Sequence, residues 1–314
     1  MSYRFTCAET IAAGIHRIAG ERARSAVVAL GQVAAGQRRR RGVHRARKDI
    51  KQLRALLHLV RTPLGPAYKR ENDALREIAH CLSPVRDVQV AEQTLGKLQC
   101  APYVALDNET AERLQRQLER LRHDTMTELD LGERAHQAGA AMEEFARRAA
   151  NWELPGDHAF AALAPGLTRS YKRGRKALAA LDHTDDPACV HEWRKQAKML
   201  WYQLRLLREA WHPVFGAMAK ELSRLSDQLG EHHDCAELAQ RVGDPTTGLL
   251  GTQQRRDEVA QALDERMQRL LSEAKPLGER LWCEKPKPFV RRVGRVWNAW
   301  HSEHDIALRA PAPQ

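Results

Sequence analysis

Residues 42–61 read GVHRARKDIKQLRALLHLVR, and residues 189–208 read CVHEWRKQAKMLWYQLRLLR. Set side by side at a separation of 147 positions, they pair His44 with His191, Arg47 with Arg194, Lys48 with Lys195 and Lys51 with Lys198. In the first stretch Val43, Ala46, Ile50, Leu53, Leu57 and Val60 alternate spacings of three and four, which lines them up along one side of a helix. Val190, Trp193, Ala197, Leu200, Leu204 and Leu207 repeat the pattern in the second. Apolar seams of this kind pack a helix into a bundle.

The polar positions carry a second message. His44, Arg47, Lys48 and Lys51 follow an i, i+3, i+4, i+7 spacing and occupy an arc of roughly 100° away from the seam, as do His191, Arg194, Lys195 and Lys198. Like charges one turn apart cost about 0.2–0.5 kcal/mol per pair unless an anion lies between them. A solvated helix ordinarily mixes signs, as residues 107–134 do with eight acids against five arginines. Residues 38–61 instead hold ten Lys or Arg and one acid, Asp49. The run Arg38 to Arg41 and the segment RSYKRGRK, with Arg169, Lys172, Arg173, Arg175 and Lys176, extend this electrostatic footprint. The same 147-residue shift sets Arg22 opposite Arg169.

Similarity continues beyond the two helices. Leu82 and Asp87 correspond to Leu229 and Asp234, although Arg86 then meets His233; LGER at 131–134 recurs at 277–280, and FARR at 145–148 resembles FVRR at 289–292. Matches in one order at nearly one spacing indicate a tandem duplication, with the halves meeting near residues 151–160. Helical periodicity dominates, strand-like alternation is nearly absent, and Pro or Gly clusters punctuate the chain at 62–66, 154–157, 164–166 and 243–248. The expected fold class is all-α. Asp186 before Pro187 predicts a helix start that places His191 near backbone N–H groups favourable to anions.

Of 314 residues, 43% are hydrophobic, enough for a sizeable core, and 51 Lys and Arg against 40 Asp and Glu give a net charge of +11. That balance favours phosphate-rich partners or anionic membrane surfaces. Six scattered cysteines suggest neither a zinc ribbon nor a disulfide framework and fit a reducing cytoplasm. No export signal and no long uncharged apolar run is visible, so a membrane partner is not expected.

With V-H-x-x-R-K-x-x-K/R-x-L on a helix in each half, followed by an R/H-D motif that begins another helix, the chain resembles the CHAD family, the conserved histidine α-helical domain. The resemblance implies a single domain over residues 8–305, made of two homologous four-helix-bundle halves, 8–153 and 154–305, related by pseudo-twofold symmetry. It implies binding of inorganic polyphosphate on a basic surface or channel, contact with polyphosphate granule proteins, and a cytoplasmic, granule-associated location. His44, Arg47, Lys48, Lys51 and their four partners carry over by motif position; Arg54, Arg22, Arg169, Lys172, Arg173 and Lys176 complete the expected binding set. Trp201 stands where Arg54 stands in the first half, so the two faces are expected to bind unequally. The E-x-E-x-K mark of a triphosphate tunnel domain, which many relatives carry, does not occur in the sequence, and its triphosphatase activity is not carried over.

No catalysis, cofactor or metal is expected. The sequence has no Walker A loop, G-x-S-x-G or H-E-x-x-H, and His191-Glu192 fails as a zincin start because position 195 is Lys. His232, His233 and Asp234 need further convergent ligands to hold a metal. Nucleic acid is the leading alternative partner, disfavoured because the basic faces lack interleaved aromatics for base stacking. An adaptor role toward an acidic protein is compatible with the same residues.

Overall fold

A computed structural model describes residues 3–101, 106–128, 130–154 and 159–309; of residues 84–89, 125–128 and 305–309 it describes the backbone. Twelve α-helices and no strand occur among the described residues. The first six substantial helices are α1 (Ile11–Ala34), α2 (Arg39–Leu59), α4 (Ala67–Cys81), α5 (Pro84–Gln99), α6 (Asn108–Glu128) and α7 (Leu131–Ala150), with a single turn, α3 (Arg61–Leu64), after α2. They are followed by α8 (Ala164–Ala180), α9 (Pro187–Leu206), α10 (His212–Gly243), α11 (Gln253–Leu281) and α12 (Pro286–Arg309).

Local chemistry sets the ends. Thr10, Asp130 and Thr252 accept from backbone N–H groups at the starts of α1, α7 and α11. Asp186 accepts from Ala188 N at 2.9 Å ahead of Pro187, as its sequence signature predicts. Between α1 and α2 the chain reverses through Gly36 (φ 77°) and Arg38 (φ 44°). A Cβ at Gly42 would stand 2.4 Å from Val33 Cγ2 and 2.9 Å from Ala29 O, so glycine permits the close approach of those helices.

α1 packs between α2 and α7, and α4 packs on both of those; α10 packs between α9 and α11, and α8 packs on α9 and α12. Every residue of the two apolar seams is buried. One core runs through both halves, while a second, at the far end, joins Leu95, Leu98, Leu114 and Leu118 to Leu238, Val242, Val259 and Leu263. The halves also exchange their leading segments. Phe5 N donates to Leu206 O at 2.9 Å at the end of α9, while Gly166 lies against Leu59 O at the end of α2. Leu59 and Leu206 are themselves 147 positions apart.

The late sequence matches do not sit alike. LGER opens α7 but closes α11, and FARR lies near the end of α7 whereas FVRR opens α12. Asp130 caps a new helix before the first LGER, whereas α11 runs unbroken through Pro276 and the second LGER, stopping after Leu281. The correspondence is therefore close through α2 and α9 and loosens toward the end of each half.

Candidate functional site

Gly166 decides where the site forms. A Cβ there would stand 2.0 Å from Leu59 O and 2.7 Å from His58 O, so only glycine lets α8 cross directly over the end of α2. With α2 also packed on α9, three helices border a cleft of about 320 Å³. Helix α2 supplies Lys51, Arg54 and His58, α8 supplies Arg169, Ser170 and Arg173, and α9 supplies Arg194, Lys195 and Lys198. Among the described lining residues, Glu192 is the one carboxylate against seven Lys and Arg, and it is engaged by Lys195 at 2.5 Å and by Gln196 at 2.7 Å.

Burial tunes these groups. The Arg54 guanidinium is pulled below its ordinary value by burial and then by Arg76, and its Nε donates to Asn72 Oδ1 at 3.3 Å. His58, hydrogen-bonded through Nδ1 with the Tyr68 hydroxyl at 3.1 Å, is pushed down to about 4 by burial and by Arg54, Arg173, Arg61 and Arg169. His58 is a lining residue that the motif reading did not single out. It lay in view on the same stripe, two turns and seven positions after Lys51.

The structure divides the expected residues. Lys51, Arg54, Arg169, Arg173, Arg194, Lys195 and Lys198 meet in the cleft. His44 and Lys48 are exposed further back along α2, and Lys172 and Lys176 are exposed on α8 outside the cleft lining. Arg47 turns to α4, where its Nη1 donates to Ala79 O and Ser83 Oγ, both at 3.1 Å. Its counterpart Arg194 lies over Gly230, the residue 147 positions after Ser83. His191 is half-buried and packs its ring 4.1 Å from that of His233. Burial, Lys195 and Arg194 lower the His191 pKa, and burial and His191 take His233 down to about 4. These imidazoles are therefore neutral near pH 7 and do not supply the cationic donors expected from an ordinary histidine. Arg86 and Asp87 lie outside the described side chains.

Arg22 corrects the expected binding set. Its side chain is about 5% exposed and pairs at 3.2 Å with Asp49, whose carboxylate also accepts from Ser25 Oγ at 2.6 Å and Arg45 Nε at 3.1 Å. A polyanion cannot reach a guanidinium so enclosed. In the second half, Arg169 takes the place of Arg22, and Gln196 takes that of Asp49. Arg169 is exposed and faces the same cleft as Gln196. The first half thus carries its own anion where the second offers cations to one from outside.

The fold and cleft together define an all-helical protein with a basic groove between facing helices. The chain belongs to the CHAD domain family, whose pattern matches residues 17–243. Among solved structures, PptA from Streptomyces chartreusis is similar with a TM-score of 0.59 and 16% identity, over 87% of this chain and 99% of that one. The crystal structure of the CHAD domain from the plant Ricinus communis is similar with a TM-score of 0.50 and 16% identity, over 99% and 96% of the respective chains. No curated protein matches the sequence. No helix among the described residues is long and apolar enough to cross a membrane, and no His, Cys, Asp and Glu cluster there could hold a metal.

Proposed function

We propose that this protein binds inorganic polyphosphate, without catalysis, in the cleft between α2, α8 and α9, and that through it the protein associates with polyphosphate granules in the cytoplasm. The supporting observation is the convergence of Lys and Arg side chains from three helices on one cleft in which Gln196 replaces the carboxylate that neutralises the corresponding arginine of the first half. Cations repeating at about 5.4 Å along a helix suit a ligand whose charges also repeat. Arginine forks across phosphate oxygens, and lysine acts as a compact charge. Nucleic acid fits less well, because Tyr202, the aromatic ring lining the cleft, is buried and offers no run of stacking faces.

The test is a titration of long-chain polyphosphate over a salt series, comparing the natural chain with one in which Lys51, Arg169, Arg173, Lys195 and Lys198 are changed to Gln. Tight binding that collapses in the variant while its circular dichroism is unchanged, with DNA of matched charge competing poorly, supports the reading. Equal binding by both chains, or a preference for DNA, overturns it.

A further inference from the structure

We propose that the groove beside the cleft, between α9 and α10, takes the base of a nucleoside polyphosphate whose phosphates lie in the cleft; this rests on the polyphosphate reading. The groove, of about 460 Å³, has Trp201 on one side and the small residues Gly216, Ala217 and Ala219 on another. The indole is already engaged, its ring 4.5 Å from that of Tyr202 and the Arg205 guanidinium over it, so a base entering the groove would stack on Trp201 by displacing Arg205. Arg205 places its guanidinium 5.2 Å from the Trp201 ring, and Lys198 Nζ lies 5.9 Å from it. Lys198 also lines the phosphate cleft, so one side chain joins the two compartments.

The distances along α9 suit such a ligand. At about 1.5 Å rise per residue, Lys198 and Lys195 stand roughly 4.5 Å and 9 Å back from Trp201 along the helix axis. At about 100° per residue they also lie roughly 60° and 120° around the helix from it, so the ligand would curve about α9 from the cleft to the ring. Arg205, exposed His212 and exposed Lys220 add positive or hydrogen-bonding character around the groove, and no carboxylate is among its described lining residues. In the first half the place of Trp201 belongs to Arg54, which faces the phosphate cleft itself. A duplicated cation replaced by an indole exchanges phosphate recognition for a ring on which a base can stack, and indole is also the best ring for cation–π contact.

Calorimetric titration of ATP and of inorganic tripolyphosphate, both without divalent metal, into the full chain tests this. ATP carries less negative charge, so charge alone favours tripolyphosphate. The proposal expects ATP to bind about tenfold more tightly, the contribution of one stacked base. Trp201→Ala should remove that preference while leaving tripolyphosphate affinity unchanged, and Trp201→Phe, which keeps a ring, should retain most of it. Equal or weaker binding of ATP by the natural chain, or parallel loss of both ligands in Trp201→Ala with Trp201→Phe unaltered, overturns the base site and leaves the polyphosphate reading standing. Absence of binding by both ligands overturns the base site, while the polyphosphate reading is decided separately by the titration of long-chain polyphosphate.

Discussion

Arg22 Nη1 lies 3.2 Å from Asp49 Oδ1, with both side chains almost wholly shut off from water. Breaking a buried pair from one side leaves an uncompensated charge, at a cost of about 3–5 kcal/mol, whereas replacing both partners by apolar groups is often neutral. Asp49→Asn should therefore lower unfolding stability by a few kcal/mol in urea, and Arg22→Met with Asp49→Leu should recover much of that loss. Because Arg22 is enclosed, the double variant should bind polyphosphate as the natural chain does. Selective loss of binding in the stable double variant would place Arg22 in the site after all.

Gln196 offers the opposite manipulation. Gln196→Asp should supply the second half with the internal anion that the first already has, directed at Arg169 and its neighbours. A fixed carboxylate in the cleft competes with an entering phosphate and repels it. Polyphosphate affinity should fall by about tenfold, and the salt dependence should flatten by about one unit of log–log slope. Gln196→Ala, which adds no charge, should change either quantity little. An affinity in Gln196→Asp equal to the natural one would mean that phosphate does not approach this position.

The fold class and the two seams were legible because periodicity is written in residue types: each seam position predicted to face a core is buried. The cations were legible as a stripe, but a stripe does not say which neighbour it meets. Arg47 and Lys51 lie one turn apart on α2, yet one reaches Ala79 O on α4 and the other lines the cleft with α8 and α9. That division follows from Gly166 and the exchanged leading segments, contacts between residues more than a hundred positions apart, which carry no periodic signal. Arg22 and Arg169 correspond in position, but what stands opposite each decides whether it meets an internal anion or an external one. The Asp49 to Gln196 difference was already present in the aligned stretches.

Gly166 gives a test of how closely the site depends on helix crossing. A methyl group in Gly166→Ala would meet Leu59 O, a backbone atom that cannot rotate away. Overpacking of this kind costs about 1–3 kcal/mol, and relief requires α8 to lift from α2. The variant should melt at lower temperature, and even well below its midpoint it should bind polyphosphate more weakly, since Arg169 and Arg173 would move away from Lys51 and Arg54. Gly243→Ala, which has nothing within 4 Å of the new methyl, is the matched control. Natural binding by a destabilised Gly166→Ala chain would show that the cleft does not need this crossing.

His58 makes both stability and binding depend on pH, with opposite signs. The folded chain resists protonating it until pH falls to about 4, since burial and four arginines oppose the charge. The unfolded chain takes up that proton near the ordinary value of about 6.5. Stability should therefore decline as pH falls from about 6.5 toward 4, because the unfolded state binds more protons throughout that interval. A polyanion in the cleft offsets the arginine field and raises the His58 pKa, so binding below about pH 6.5 should draw in protons and strengthen with acidification. Titrations at pH 5.5 in buffers of different ionisation enthalpy measure that uptake. His58→Gln should reduce it and also flatten the loss of urea stability between pH 6.5 and 4.5. Unchanged proton uptake in His58→Gln would assign the linkage elsewhere, with His191 and His233, whose pKa values are also lowered, as the next pair to change.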